Sequence, residues 1–295
     1  MLMQYVTTSN GVKIPQLGYG VFLMTSKDVH EHLPQALELG YRHIDTANAY
    51  FNEVAVGEEI RNSGIPREEI FLTTKLFPAS YGKDVCMHDI DASLKRLDTD
   101  YVDLLFLHHP YGEYLQAWPI LEQALAEGKT RTIGLSNFPL DKIGQIANNA
   151  TVFPQVMQVE MNPRHNRHEL KAALAGHDVA FEGWYPLGHG DPELLHMPVF
   201  EELAAKYGKS TAQIIERWHM QEGNIIFPKT MSVEHMKANM DIFDFALTDE
   251  EMARIDAIPQ KPYYTVPDEP PEFFMARYDY STQVRPFTNT ALKKD

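Results

Sequence analysis

From FLTTKL (71–76) onward, short β-branched or apolar runs alternate with amphipathic stretches of helical period, and no other feature of the chain restricts its fold so tightly. DVCMHDIDASLKRL follows FLTTKL; then come YVDLLFL, a helical pattern over 118–128, RTIGLS and PQVMQVE. The alternation continues through KAALAGHD, VAFEGWYPL, the amphipathic run VFEELAAKYGKSTAQIIERWHMQEG and NIIFPK, with no linker between units. Strands separated by helices do not pair as hairpins. Each helix carries the chain back, so the strands lie parallel in one helix-covered sheet. A chain of 295 residues holds such an α/β fold as one domain, since barrels of roughly 250 residues commonly fold as a unit.

Local signals fill in the ends. Ser26 with Val29 opens a helix that ends at Gly40, and Gly64, Ile65 and Pro66 close the next. In TTSNGVKIP, Asn10-Gly11 separates two short extended runs; this dipeptide favours a type I′ turn, so a hairpin is predicted to plug one end of a barrel. Regularity ends after Pro259. The segment from Gln260 to Asp295 is rich in proline and in aromatics such as Tyr263, Tyr264, Phe273 and Phe274. It is too apolar for a tether and too proline-broken for a helix, and is read as an ordered lid-like loop of the same domain.

A formal charge of −15 repels nucleic-acid phosphates and anionic membrane surfaces, so neither is expected as a partner. Cys86, the lone cysteine, permits no intramolecular disulfide and is read as buried filler in a reducing compartment. No basic segment followed by an apolar run opens the sequence, and no stretch approaches the ~18 apolar residues of a membrane span; the expected location is cytoplasmic.

LLFLHHP (104–110) runs an apolar strand into two adjacent histidines and a proline. A metal site using both rings, one catalytic histidine beside an unrelated neighbour, and two structural histidines are all open readings. Successive residues on an extended strand point to opposite faces, so two converging imidazoles would require a break in the strand.

Parallel β/α barrels collect reactive groups at the C-terminal ends of their strands. Asp45 closes YRHID, Lys75 closes FLTTK, His108 closes LLFLH, and Tyr50 follows shortly after Asp45. Singly, these read as a helix cap, a solvated strand end and a loop aromatic. Together they make a chemical unit: a phenol near pKa ~10 is a poor acid, an adjacent ammonium favours its phenolate, and an aspartate keeps that ammonium charged. A neutral imidazole can orient a reacting oxygen, which suits protonation of an alkoxide forming from a carbonyl. No Rossmann fingerprint, P-loop, HExxH or paired CxxC is present; GYGVFL lacks the third glycine and the helix.

YRHIDTANAYFNEVAVG (41–57), GKTRTIGLSNF (128–138) and FPKTMSVEHMKANMDIFDF (227–245), with LFLHHP between them, resemble the signatures of the aldo-keto reductase family, and the likeness runs to about Ile258. The resemblance implies a (β/α)8 TIM barrel that binds an extended nicotinamide cofactor across its mouth and reduces an aldehyde or ketone to the alcohol. It implies Tyr50 as general acid, Lys75 and Asp45 as the groups that tune it, and His108 as the residue orienting the carbonyl. Ser136, Asn137 and Gln158 fall on the nicotinamide carboxamide. Trp184, in Trp184-Tyr185-Pro186-Leu187, stands where a stacking tyrosine is usual, and Tyr185 replaces a serine.

At the adenosine end the resemblance assigns Lys229, Thr230 and Asn239 to phosphate and adenine, but His235 stands where an arginine is common and Ala238 where a glutamate is. Arginine grips phosphate with a planar, permanently charged fork that neutral histidine does not reproduce. NADPH is the expected cofactor through Lys229, with NADH left open by His235. Phe22 and His109 occupy substrate-wall positions where the family often has tryptophan. Glu216 interrupts the apolar AQIIERW helix and is read as lying on an exposed face.

Two rival readings remain. One is a nucleotide-sensing regulatory binding protein of the same fold with little turnover. The other is a metal-dependent hydrolase built on His43, His108, His109 and Asp45. The preferred reading needs no metal, takes a small-molecule carbonyl as partner and, from the resemblance, is a monomer. Steroid, sugar, keto acid and simple aldehyde all remain open as substrates.

Overall fold

The computed structural model describes residues 3–286. Strands β1 (Tyr5–Thr7) and β2 (Lys13–Pro15) pair antiparallel. They precede eight parallel strands that neighbour one another in chain order: β3 (Tyr19–Gly20), β4 (His43–Asp45), β5 (Phe71–Leu76), β6 (Leu104–Leu107), β7 (Ile133–Ser136), β8 (Val156–Glu160), β9 (Ala180–Trp184) and β10 (Ile225–Ile226). The sheet closes on itself, because Ile226 N–H donates to Gln16 O at 2.8 Å and Gly18 N–H to Ile226 O at 2.9 Å. The parallel strands are those that the alternation predicts, and their closure makes the (β/α)8 barrel that the resemblance implies.

Helices α1 (Ser26–Glu38), α2 (Glu53–Asn62), α3 (Cys86–Leu97), α4 (Tyr114–Ala126), α5 (Leu140–Ala147) and α6 (His168–Leu174) return the chain between strands. After β9 come α7 (Pro192–Leu195), α8 (Pro198–Tyr207) and α9 (Thr211–Gln221); after β10 come α10 (Val233–Met240), α11 (Asp249–Asp256) and the single turn α12 (Glu272–Met275). Thr25, not Ser26, caps α1: its hydroxyl accepts from Asp28 N–H while the Asp28 side chain accepts from Thr25 N–H. The long amphipathic run is two helices, divided at Gly208 in the left-handed region at φ 66°.

Strand alternation sorts side chains into two apolar layers. Outward residues such as Leu72, Leu105 and Met157 pack beneath the helices. Inward residues Phe71, Leu104, Val156, Ala180 and Ile225 fill the N-terminal end of the barrel together with Ile14 of β2, so the hairpin does plug that end. Its turn differs from the expectation. Only Gly11 has positive φ (84°), Thr8 N–H donates to Val12 O at 2.9 Å and Gly11 N–H to Thr8 O at 2.8 Å. That is a longer loop around a type I turn with glycine at the left-handed position, rather than a two-residue type I′ turn. Polar inward residues are left for the opposite end.

Candidate active site

Three of the predicted residues meet at the C-terminal ends of β4 and β5. Lys75 Nζ lies 2.6 Å from Asp45 Oδ1, 3.0 Å from Thr46 O and 3.3 Å from the Tyr50 hydroxyl. Tyr50 arrives on a 3-10 turn (Asn48–Tyr50) that ends at Phe51 in the left-handed region, φ 59°. Burial would depress Lys75, but the Asp45 carboxylate and the Tyr50 hydroxyl outweigh it and hold the ammonium above its usual range. Burial pushes Tyr50 up to about 12, with the Lys75 charge opposing it, so the phenol is a firmly held proton store rather than an acidified one. Lysine therefore moderates a shift that desolvation dominates.

His108 joins them from the end of β6, its ring centroid 5.7 Å from that of Tyr50. The two histidines do not diverge as an extended strand would require: β6 ends at Leu107, and the rings stack at 4.6 Å with 17° between their planes. Burial, then His109 and Lys75, holds His108 well below the usual imidazole range; burial and Lys75 take His109 down to about 3. Both rings are neutral at pH 7. His108 Nδ1 is buried without a partner in the protein.

His43 takes no part in a metal constellation with them. It sits deeper, edge-on to Phe71 and Phe227, its Nδ1 3.1 Å from Pro15 O and its Nε2 3.1 Å from Thr73 Oγ1. Among the described residues, the group spaced to surround an ion is His168, Glu222 and Asp256, where Lys171 Nζ already lies 3.1 Å from the Glu222 carboxylate.

Ser136 and Trp184 end β7 and β9, Asn137 follows Ser136, and Gln158 lies mid-strand in β8 in register with Ser136. Asn137, left-handed at φ 66°, does more than cap a turn: its Nδ2 donates to His108 O at 3.2 Å and Ser136 Oγ at 3.1 Å, and its Oδ1 accepts from Trp184 Nε1 at 2.9 Å. Gln158 Nε2 donates to Asp45 Oδ2 at 2.9 Å and to Glu182 Oε2 at 2.8 Å. Tyr185, the unexplained replacement, also has positive φ (54°) and leans on Trp184 at 4.7 Å and His189 at 4.5 Å.

Lys229 and Thr230 precede α10, whose cap Ser232 accepts from His235 N–H at 3.4 Å. An amide-rich helix N-terminus beside a lysine suits a phosphate. Glu216 contradicts the expectation of an exposed face. It is fully buried in α9, where all of residues 213–220 are covered, and Asn239, with its amide oriented to satisfy both ends, donates to Glu216 Oε1 at 3.1 Å and to His235 O at 3.0 Å. Burial pushes the Glu216 carboxyl up to about 8.

Phe22 packs beside Tyr50, and His109 stacks on His108. The Phe22 ring lies 5.0 Å from Tyr50, and Phe274 of the tail packs 4.3 Å from His109 and 5.0 Å from Phe77. The tail is pinned: Glu160 accepts from Tyr263 N–H at 2.9 Å and Tyr264 N–H at 2.7 Å, and the Tyr111 hydroxyl donates to Pro267 O at 2.6 Å. Residues 287–295 of the predicted loop lie outside the described residues. Sequence reasoning missed Glu160 and Glu182, both wholly buried; each stands two residues along a strand from a recognised inward residue, Gln158 or Trp184, which is the period-two signal that points to them.

Comparison with known proteins places the chain in a family. Residues 16–260 match the Aldo/keto reductase family. The chain is 39% identical to morphine 6-dehydrogenase of Pseudomonas putida, covering 86% of this chain and 90% of that one. It is likewise 39% identical to glyoxal reductase of Bacillus subtilis, covering 87% and 93%. Among solved structures, an aldo/keto reductase from Brucella melitensis superposes with TM-score 0.83 at 40% identity, over 86% of this chain and 99% of that one. A Bombyx mori aldo-keto reductase in complex with NADP gives 0.81 at 31% identity, over 87% and 92%. The matches run over most of the chain, which belongs to the aldo-keto reductase family.

Proposed function

We propose that Tyr50, Lys75, Asp45 and His108 carry the nicotinamide-dependent reduction of carbonyl compounds that marks this chain as an oxidoreductase, with Tyr50 as the proton donor. The observation that carries this reading is the placement of Lys75 Nζ within hydrogen-bond reach of both Asp45 Oδ1 (2.6 Å) and Tyr50 OH (3.3 Å). The residues fit an extended nicotinamide dinucleotide: polar groups of Ser136, Asn137 and Gln158 and the Trp184 ring converge at one side of the mouth, and Lys229, Thr230, His235 and Asn239 mark a phosphate and adenine end. When bound, such a cofactor supplies the hydride.

The protein's own groups supply the rest. His108, kept neutral by burial, donates its N–H to the carbonyl oxygen and orients it. Tyr50 holds its proton until an alkoxide develops and then releases it to that oxygen; the Lys75 ammonium stabilises the phenolate left behind, and Asp45 keeps the ammonium charged. Phe274, Trp184 and Tyr264 keep water from the reacting centre.

The finer reading is an NADPH enzyme, cytoplasmic and monomeric, acting on small carbonyl compounds beneath the aromatic tail. Lys229 beside α10 supports NADPH; among the described residues no helix is long and apolar enough to cross a membrane. The related proteins named morphine 6-dehydrogenase and glyoxal reductase carry substrates of very different size in their names, so the wall formed by Phe22, His109 and Phe274 sets specificity in this reading. A panel of aldehydes and ketones assayed with NADPH and NADH tests it. Repeated turnover with kcat/KM higher for NADPH is expected; tight binding of either nucleotide with no turnover on any carbonyl would overturn it.

A further inference from the structure

Beneath the site, the barrel interior holds a second carboxyl group that the reaction does not use. Glu182, on β9, is wholly buried, and its Oε2 accepts from Gln158 Nε2 at 2.8 Å. The other hydrogen of that amide goes to Asp45 Oδ2 at 2.9 Å. Both N–H groups of Gln158 are thus directed at oxygens of the interior, and its carbonyl oxygen is left to accept a hydrogen bond from another donor. A flipped amide would set its oxygen against the Asp45 carboxylate and take from Glu182 Oε2 the hydrogen that now reaches it, a costly arrangement in a buried site.

We propose that Glu182 is a positioning residue of the nicotinamide site, fixing the Gln158 amide so that its oxygen accepts from the carboxamide NH2 of the cofactor. This rests on the reading above that Gln158 meets the carboxamide. The titratable and charged groups facing Glu182 are Asp45 and His43 of β4 and Lys75 of β5; His43 Nε2 is 3.9 Å from Glu182 Oε1. Burial, with the Asp45 charge, pushes the Glu182 carboxyl up to about 8; its Oε2 accepts from Gln158, while its Oε1 is buried without a hydrogen-bond partner among the described residues.

The test is cofactor affinity, followed by quenching of tryptophan fluorescence, for NADP+ and for its 3-acetylpyridine analogue, in which a methyl group replaces the carboxamide NH2. Glu182→Leu is expected to raise Kd for NADP+ by about tenfold, the loss of one hydrogen bond, and to change Kd for the analogue by less than twofold. Glu182→Gln keeps an acceptor and is expected to restore NADP+ affinity to within about twofold of the parent. Equal losses for both nucleotides would mark a merely structural role and overturn the proposal, as would a Glu182→Leu protein that binds NADP+ like the parent. Gln158→Leu separates the two levels. If it weakens NADP+ while Glu182→Leu does not, the positioning role alone fails; if it binds both nucleotides like the parent, the carboxamide reading of Gln158 fails and the proposal with it.

Discussion

Asp45 and Lys75 form an ion pair at 2.6 Å inside the barrel, and Lys75 has no exposed surface. Removing one partner strands the other. Lys75→Met is expected to cost about 3–5 kcal/mol of unfolding free energy, whereas the neutral double variant Asp45→Asn/Lys75→Met regains most of it without regaining turnover. Because Lys75 is held above its usual range, the stabilisation is full below the ~10.4 of free lysine and is lost as pH rises through the higher folded value. Denaturant unfolding at pH 7 and again above pH 10 measures both effects; single and double variants of equal stability would contradict the pairing.

The stacked histidines are expected to separate by function. His108→Ala is expected to lower kcat by about 10²-fold or more on every carbonyl substrate, since it removes a donor to the reacting oxygen. His109→Ala, which opens a gap against Phe274, is expected to reorder substrates by KM while kcat on small aldehydes changes little. Steady-state kinetics over one substrate panel distinguishes them; parallel losses in both variants would count against separate roles.

His235 stands at the start of α10 beside the Lys229 loop. Restoring arginine there supplies a bidentate, permanently charged grip, so His235→Arg is expected to raise the NADPH to NADH ratio of kcat/KM by about 10- to 100-fold, mainly through KM for NADPH. An unchanged ratio would place the 2′-phosphate elsewhere.

Glu216, raised by burial to about 8, binds its proton more tightly folded than unfolded, where carboxyls titrate near ~4.3. Its contribution is fully present below that lower value and is lost as pH rises towards 8. Glu216→Gln has no such loss. Its Tm is therefore expected to match the parent near pH 4 and to exceed it increasingly up to about pH 8; thermal melts across that range check the sign, and a constant difference would show that Glu216 is not the titrating group.

Much of this was legible in the chain, for physical reasons. FLTTKL reads as a strand and is β5 residue for residue, because a β-branched run with helical patterns on both sides has one sensible conformation. Asp45, Tyr50, Lys75 and His108 are singled out by chemistry and by strand ends, and the structure brings them together. The sequence leaves the relative direction of His108 and His109 open, because strand alternation lapses where pairing stops at Leu107, and there the rings stack. Glu216 was assigned to solvent because periodicity in one helix cannot reveal that α10 and its neighbours cover the far side of α9 as well. Glu182 was passed over within VAFEGWYPL because a strand covered on both faces reads as one apolar run until its inward register is known.

Tyr50, proposed as the proton donor, is not expected to hold the cofactor. Tyr50→Phe deletes one oxygen and leaves Lys75, Asp45 and the nicotinamide residues in place. Single-turnover reduction of an aldehyde, measured beside a fluorescence titration of the cofactor, is expected to slow by about 10²–10⁴-fold while Kd for NADPH stays within about twofold. A reduction rate near that of the parent would contradict the account.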